Sequence, residues 1–228
     1  MKTVKKHFEE EAKEFDQIIL KLIPYYTEML DAIVSCIPYK KLENIKIIDI
    51  GCGTGRIAGK IKLKFSNSNI TCLDIAENMI EMSKIKMLNF TDIKFRVSNL
   101  QDFDFGIEQY DVIVSSLALH HLETDKEKKQ FYNVVYKSLK QGGIFINADV
   151  VLGANDSIQQ IYMEKWILFM RQNVSIDEIN NKWLVKYNEE DKPVKLINHL
   201  YWLSESGFDM VDVIWKYYNF AVYCGQKL

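Results

Sequence analysis

The 228-residue chain has few cysteines and prolines, and it has no long apolar segment. Its four cysteines, at positions 36, 52, 72 and 224, form no C-x-x-C pair, which excludes a zinc knuckle and a thioredoxin-type redox site. They are typical of reduced thiols in a cytoplasmic protein. No apolar run approaches about 18 residues, so the sequence predicts no membrane span. The charged segment 1–14 does not resemble a signal peptide.

Neither positive nor negative charge predominates in the sequence. Lysine and arginine total 29 against 31 aspartates and glutamates, a net charge of -2. This balance excludes a nucleic-acid binder that depends on overall positive charge, so we expect no nucleic-acid partner. The length and the absence of a stiff linker predict one domain, in a protein that is a monomer or a homodimer.

Short apolar strands alternate with amphipathic helices between residues 45 and 150, which is typical of an α/β domain with a largely parallel sheet. A helical segment over 5–36, broken at Pro24, precedes them. After the alternation, helices are predicted over 155–172, 175–188 and 193–206, with Pro193 in the first turn of the third, followed by two antiparallel strands. We therefore divide the single domain into N-terminal helices (1–40), a core (41–152), a helical insertion (153–192) and a C-terminal part (193–228).

The sharpest signal is Asp49-Ile-Gly-Cys-Gly-Thr-Gly55, between a buried strand and a helix. A dinucleotide fingerprint would place its third glycine at position 56, which is arginine, and no Walker lysine follows. Asp74 ends the next strand, where an acid can accept both hydroxyls of a ribose. Asp49 suits a nearby cation. These features indicate a ribonucleoside ligand, and a nucleoside that carries an amino group and a sulfonium matches them.

The sequence resembles the class I S-adenosylmethionine (SAM)-dependent methyltransferases. The resemblance rests on segments 47–55, 73–79, 99–100, 110–122 and 139–143. It implies a Rossmann-like, seven-stranded, mostly parallel sheet with an antiparallel last strand. It also implies SAM as cofactor, S-adenosylhomocysteine as product, and no metal.

The resemblance also implies roles for single residues in cofactor binding. The methionine moiety would lie on Gly51, Cys52 and Gly53, with Asp49 near its amino group. Asp74 would hold the ribose. Ile75 and Met79 would lie beside the adenine, and Leu100 would lie at its edge. Asn99 stands where the family usually has an aspartate. Ser115 would lie at the methyl-transfer site.

Residues that come after the fourth and fifth predicted strands should lie near the methyl acceptor. His120, His121 and Asp149 are the candidates for a catalytic base or an orienting group. Tyr26, Arg171, Trp183 and Tyr218 are candidates for substrate binding. We expect the insertion and the N-terminal helices to form a cap that excludes water and selects a small-molecule acceptor.

A narrower group, which includes enzymes of the carboxy-SAM synthase type, is also similar. In that type an arginine from the insertion reads the extra carboxylate, whereas this chain has Lys182-Trp183-Leu184 there and only Arg171 elsewhere in the insertion. The leading hypothesis is therefore a cytoplasmic small-molecule methyltransferase. The alternatives are a carboxy-SAM-forming enzyme linked to tRNA wobble uridine modification, or a non-catalytic SAM-binding accessory protein.

Overall fold

The computed structural model describes residues 2–228. The strands are β1 (Lys46–Ile50), β2 (Asn69–Asp74), β3 (Ile93–Val97), β4 (Tyr110–Ser116), β5 (Leu139–Val150), β6 (Met210–Tyr217) and β7 (Phe220–Gln226). The helices are α1 (Lys2–Glu11), α2 (Phe15–Leu22), α3 (Tyr26–Ser35), α4 (Arg56–Lys64), α5 (Glu77–Lys86), α6 (Asp125–Ser138), α7 (Asp156–Met170), α8 (Ile176–Glu178), α9 (Leu184–Glu190) and α10 (Leu196–Glu205). A 3₁₀ turn (Leu119–His121) follows β4, and a π turn (Ile179–Trp183) joins α8 to α9.

The strands form one seven-stranded sheet in the order β3-β2-β1-β4-β5-β7-β6. β1 pairs in parallel with β2 and β4, and β7 is antiparallel to both of its neighbours, β5 and β6. This topology confirms the predicted Rossmann-like α/β fold with an antiparallel last strand.

Helices cover both faces of the sheet because the central strands are apolar on both sides. Ile47 and Ile48 of β1 are each 0% exposed, yet they belong to two different apolar clusters. Successive side chains of a strand point to opposite faces. One face packs against α3, α4 and α7, and the other packs against α6 and α10.

Two helix boundaries differ from the prediction. The segment predicted as helix over 5–36 breaks at residues 12–14 as well as near Pro24, although Ala12, Lys13 and Glu14 are ordinary helix formers. The last helix begins at Leu196 and not at Pro193. Residues 193–195 are extended instead, because the Leu152 amide donates to the Val194 carbonyl over 3.0 Å.

Helix α6 begins as its sequence predicts. The Glu127 amide donates to Thr124 Oγ1 over 3.2 Å, and the Thr124 amide donates to the Glu127 carboxylate over 3.0 Å. These two bonds satisfy backbone donors that a helix start would leave unpaired. Among residues 2–228, no helix combines the length and the apolar character that crossing a membrane requires.

Candidate active site

The glycine loop lies at the carboxyl end of β1, where open α/β sheets bind ligands. Gly51 and Gly53 both have positive φ angles, +64° and +51°. A Cβ atom on Gly51 would lie 2.3 Å from the Cβ of Ala118, so only glycine fits there. A Cβ on Gly53 would have only Phe15 within 4 Å, at 3.9 Å, and would occupy open space. Gly51 therefore allows close packing against Ala118, and the missing side chain of Gly53 leaves the cavity open.

A first cavity of about 860 Å³, part of it open to solvent, lies over this loop. It brings together residues from the ends of β1, β2 and β4 and from the N-terminal helices. Nine of the residues predicted for cofactor or substrate binding line it: Tyr26, Asp49, Gly51, Cys52, Gly53, Asp74, Ile75, Met79 and Leu100.

Two buried carboxylates define the polarity of this cavity. Burial raises the pKa of Asp49 to about 7, with a further contribution from Asp74. Within residues 2–228, Asp49 Oδ2 is buried and has no hydrogen-bond partner. Asp74 accepts the amides of Gly53 over 2.8 Å and Ala76 over 2.9 Å, and burial raises its pKa. An ammonium group beside Asp49 would satisfy the orphan oxygen, so these residues fit a ligand such as SAM.

Two predicted cofactor residues do not line the cavity. Ser115 is 0% exposed and donates to the Ile50 carbonyl over 3.0 Å, inside the sheet. Successive side chains of a strand point to opposite faces, and the next serine, Ser116 at the end of β4, lines the cavity instead. The Asn99 side chain accepts the amide of Gln101 over 3.3 Å, and its neighbours Ser98 and Leu100 line the cavity instead.

Residues that the sequence analysis did not select also line the first cavity. Arg56 stacks on the Tyr26 ring at 5.3 Å and donates to the Asp16 carbonyl over 3.2 Å. Its position directly after Gly55 could have indicated this place, since the start of α4 faces the ligand. Phe8 and Phe15 arrive from α1 and α2, and no local signal separates them from ordinary core positions.

A second cavity of about 880 Å³, also partly open, adjoins the first. It lies between α1, α2 and the insertion, and the predicted Trp183 lines it. Four residues line both cavities: Phe8, Phe15, Leu117 and His121. Leu117 holds a left-handed φ of +53°, which is rare for a residue other than glycine and is often found at functional sites.

Arg171 and Tyr218, both predicted to bind substrate, line neither of these two cavities. Arg171 is exposed at the C-terminal end of α7. Tyr218 lies in the turn between β6 and β7, where its ring packs on Tyr162 at 6.0 Å.

The two histidines occupy different electrostatic environments. His120 contacts Asp149 through Nδ1, and its Nε2 lies 3.5 Å from Asp191 Oδ1. Burial alone would lower the pKa of His120, but Asp191 and Asp149 outweigh it and raise the pKa to about 10. Burial lowers the pKa of His121 to about 3, and the charge of His120 adds to this shift. His120 is therefore cationic at neutral pH, and His121 is neutral.

The contacts of Asp149 and of the two histidines separate the three candidates for a catalytic base. Asp149 is 0% exposed, and its carboxylate is occupied by His120, the Asn147 side chain at 3.3 Å and the Val150 amide at 3.0 Å. It therefore orients His120 and does not reach the cavities directly. Among the three candidates, only His121 lines both cavities.

One group of side chains in the described part of the chain has the composition of a metal site. Ligand atoms of His120, His121 and Asp191 lie within 4.8 Å of one another. Direct contacts between Asp191 and both imidazoles already account for this arrangement. The absence of a metal stays a prediction.

The sequence also matches a known family. Residues 41–205 match the family described as "Methyltransferase domain", so the chain belongs to this family of methyltransferases. It is a SAM-dependent methyltransferase, with SAM as its cofactor. The matched range contains the glycine loop, Asp74, the two histidines and the whole insertion.

Particular relatives agree with this class. The chain is 24% identical to carboxy-S-adenosyl-L-methionine synthase of Campylobacter lari, over 99% of this chain and 97% of that enzyme. It is 27% identical to the enzyme of the same name from Campylobacter fetus subsp. fetus, with coverages of 98% and 96%. Human N-acetylserotonin methyltransferase, solved with SAM, shares the fold at a TM-score of 0.64 and 17% identity, with coverages of 96% and 56%.

Proposed function

We propose that the chain transfers the methyl group of SAM to a small molecule bound in the second cavity. The observation that carries this proposal is the junction of the two cavities at Phe8, Phe15, Leu117 and His121. A ligand in one cavity is thereby next to a ligand in the other. Methyl transfer from a sulfonium needs mainly proximity, alignment and exclusion of water.

Residues of the first cavity would hold the cofactor. Asp49 would pair with the amino group of the methionine moiety, and Asp74 would accept the ribose hydroxyls. Ile75, Met79 and Leu100 would pack on the adenine. Gly53 would let the backbone approach the ligand closely.

The N-terminal helices and the insertion 153–192 would form the cap over the acceptor. Lys186 forms an ion pair with Glu11, and His7 contacts Glu190, so α9 meets α1 at two points. Trp166 and Trp183 contribute apolar surface to the cavity below them. This enclosure supports a small acceptor over a macromolecule, in the cytoplasmic location that the sequence predicts.

Methyl-labelled SAM can test this proposal. The protein would be incubated with labelled SAM and an extract of its source cells, and the products would be separated by size. We expect label in the small-molecule fraction, and no label with an Asp74→Ala variant. Label confined to RNA or protein would contradict the proposal, and absence of turnover with every extract would favour an accessory, SAM-binding role.

A second candidate, carboxy-SAM synthesis, is favoured by the names and the near-complete coverage of the relatives. A bound carboxylate needs a cationic partner. Arg171 lies outside both cavities, and the cations that line them already have acidic partners. Arg56 is paired with Asp16 at 3.7 Å, Lys186 with Glu11, and His120 with Asp149 and Asp191. We therefore expect mass spectrometry of the purified protein to find SAM or S-adenosylhomocysteine. Carboxy-SAM in that preparation would establish the second candidate.

A further inference from the structure

The second cavity is apolar along its walls and charged at one end. The walls include six aromatic residues: Phe8, Phe15, Trp166, Trp183, Tyr187 and Phe220. The indole N–H of Trp166 donates to the Leu22 carbonyl over 2.7 Å, and that of Trp183 donates to Glu178 over 3.0 Å. With these donors engaged elsewhere, the tryptophans offer the cavity only ring surface. Such walls suit an apolar, ring-sized body, and aromatic faces also attract cations.

The charged end has an excess of carboxylates beside the cofactor cavity. Asp191 lies 3.5 Å from both His120 and His121, Glu190 is the preceding residue, and Asp149 lies behind His120. The nearby lysines have partners of their own. Lys186 pairs with Glu11, and Lys182 and Lys186 lie over the Trp183 ring at 4.2 and 5.2 Å. The cationic His120 also lines this end, between Asp149 and Asp191. Three carboxylates therefore outnumber one cation where a ligand group would lie next to the methyl donor.

His121 adds a hydrogen-bond acceptor at the junction. Its Nδ1 lies 3.4 Å from the Glu190 carbonyl and 3.5 Å from Asp191 Oδ1. Because both neighbours accept hydrogen bonds, we assign the proton to Nδ1, which leaves the lone pair on Nε2. A neutral imidazole of this kind can accept an N–H or O–H bond.

We propose that the acceptor is a primary or secondary amine carried on an apolar, ring-sized body, with its nitrogen beside His121 and Asp191. This inference rests on the proposed small-molecule methyltransferase function and names its substrate class. The aromatic walls would hold the body, and the carboxylates would hold the nitrogen.

The chemistry balances with SAM as the only co-reactant. The ammonium loses one proton to water, and the neutral amine then gives its lone pair to the methyl carbon. The carbon–sulfur bond breaks, and its electron pair goes to sulfur. Positive charge grows on nitrogen during attack, where Asp191 and Glu190 would stabilise it. The products are a methylammonium and S-adenosylhomocysteine.

Three probes with one indole body test the substrate class: tryptamine, tryptophol and indole-3-propionate. Their dissociation constants would be measured by calorimetry with S-adenosylhomocysteine at saturation. We expect tryptamine to bind at least tenfold more tightly than indole-3-propionate and more tightly than tryptophol. Equal or tighter binding of the propionate or of tryptophol would overturn the inference, as would binding of none of the three at millimolar concentration.

Variants of the carboxylates test which residues recognise the amine. We expect Asp191→Asn and Glu190→Gln each to reduce the preference for tryptamine over tryptophol at least fivefold. Glu189→Gln, at an exposed neighbour in α9, is the matched control and should leave the preference unchanged. A preference unaffected by both test variants would also overturn the inference. The affinity for S-adenosylhomocysteine, measured on the same proteins, should not change. Failure of the wild-type protein to bind that product would instead contradict the proposed function.

Discussion

Trp166 of α7 donates its indole N–H to the carbonyl oxygen of Leu22, at the end of α2, over 2.7 Å. The tryptophan is 7% exposed and belongs to the helical insertion, whereas Leu22 belongs to the N-terminal helices. Both residues line the second cavity. This bond therefore joins the two parts of the proposed cap across the acceptor site.

Loss of this bond should loosen the cap. Trp166→Phe keeps an aromatic ring but leaves the Leu22 carbonyl without its donor, a cost of about 1–3 kcal/mol. We expect faster hydrogen exchange in α2 and α7 of the free protein, with unchanged exchange in β1 and β4. Bound S-adenosylhomocysteine should restore part of the protection.

The matched control for this experiment is Trp215→Phe, on the edge strand β6. It should leave exchange in α2 and α7 near the wild-type rate. Equal protection of the cap and the sheet in the wild-type protein, with and without ligand, would show that these helices are a fixed part of the core.

Asp74 should be essential for cofactor binding. Its carboxylate already accepts two backbone amides, which hold it at the end of β2. Replacement by alanine would remove two hydrogen bonds from ribose hydroxyls to a charged acceptor, each worth about 1.5–3 kcal/mol. We expect calorimetry to show SAM affinity at least a hundredfold weaker for Asp74→Ala. Asp102→Ala, at an exposed position, should bind normally. An unchanged dissociation constant for Asp74→Ala would refute the ribose assignment.

The sequence predicted that the glycine loop would lie at a ligand cavity, because the determinants of this loop are local. The turn glycines, the preceding strand and Asp74 each have a recognisable position in a βαβ unit. Ser115 shows that an error of one residue is enough to miss the cavity, because β4 ends one residue later than predicted and its last residue, Ser116, lines the cavity. Strand ends are set by tertiary pairing, which no local pattern reveals.

The acceptor side was harder to predict because it depends on contacts between distant segments. Asp191 meets His120 across more than 70 positions of sequence, and Phe8 and Phe15 reach the same cavity from separate helices. Each of these residues has an ordinary sequence context. Arg171 was predicted because it is the only arginine of the insertion, and it lies at the end of α7, outside both cavities.

The two glycines of the loop should respond differently to substitution. Gly51→Ala places a methyl group 2.3 Å from the Ala118 Cβ, so we expect a large loss of stability in thermal unfolding. The Cβ of Gly53→Val would have only Phe15 within 4 Å, at 3.9 Å, and the main folding cost is the positive φ, about 1–2 kcal/mol. We expect Gly53→Val to remain folded but to lose SAM binding, because the side chain would fill the cofactor cavity. A folded Gly53→Val protein with wild-type affinity would show that the loop is not the cofactor site.

The affinity for SAM should depend on pH through Asp49. Burial raises the pKa of this carboxyl to about 7, so in the free protein it is largely neutral below that pH. A neutral carboxyl lacks the charge that would pair with an ammonium, and binding must then release a proton. Affinity should therefore rise with pH, by up to tenfold per unit below pH 7, and level off above it.

Calorimetry between pH 5.5 and 7.5, in buffers of different ionisation enthalpy, measures both the affinity and the released proton. The range ends at about pH 7.5 because α-amino groups lose their own proton near 7.7–8.0. Asp49→Asn should bind SAM more weakly at pH 7.5 and should remove the rise, whereas Asp102→Asn should keep it. The free protein gives an independent check. A carboxyl whose folded pKa lies above its unfolded value of about 3.9 makes the folded state less stable as pH rises from about 4 to 7. Asp49→Asn should remove that part of the pH dependence of stability as well. If both profiles match the wild type, Asp49 is not the group that faces the amino end of the cofactor.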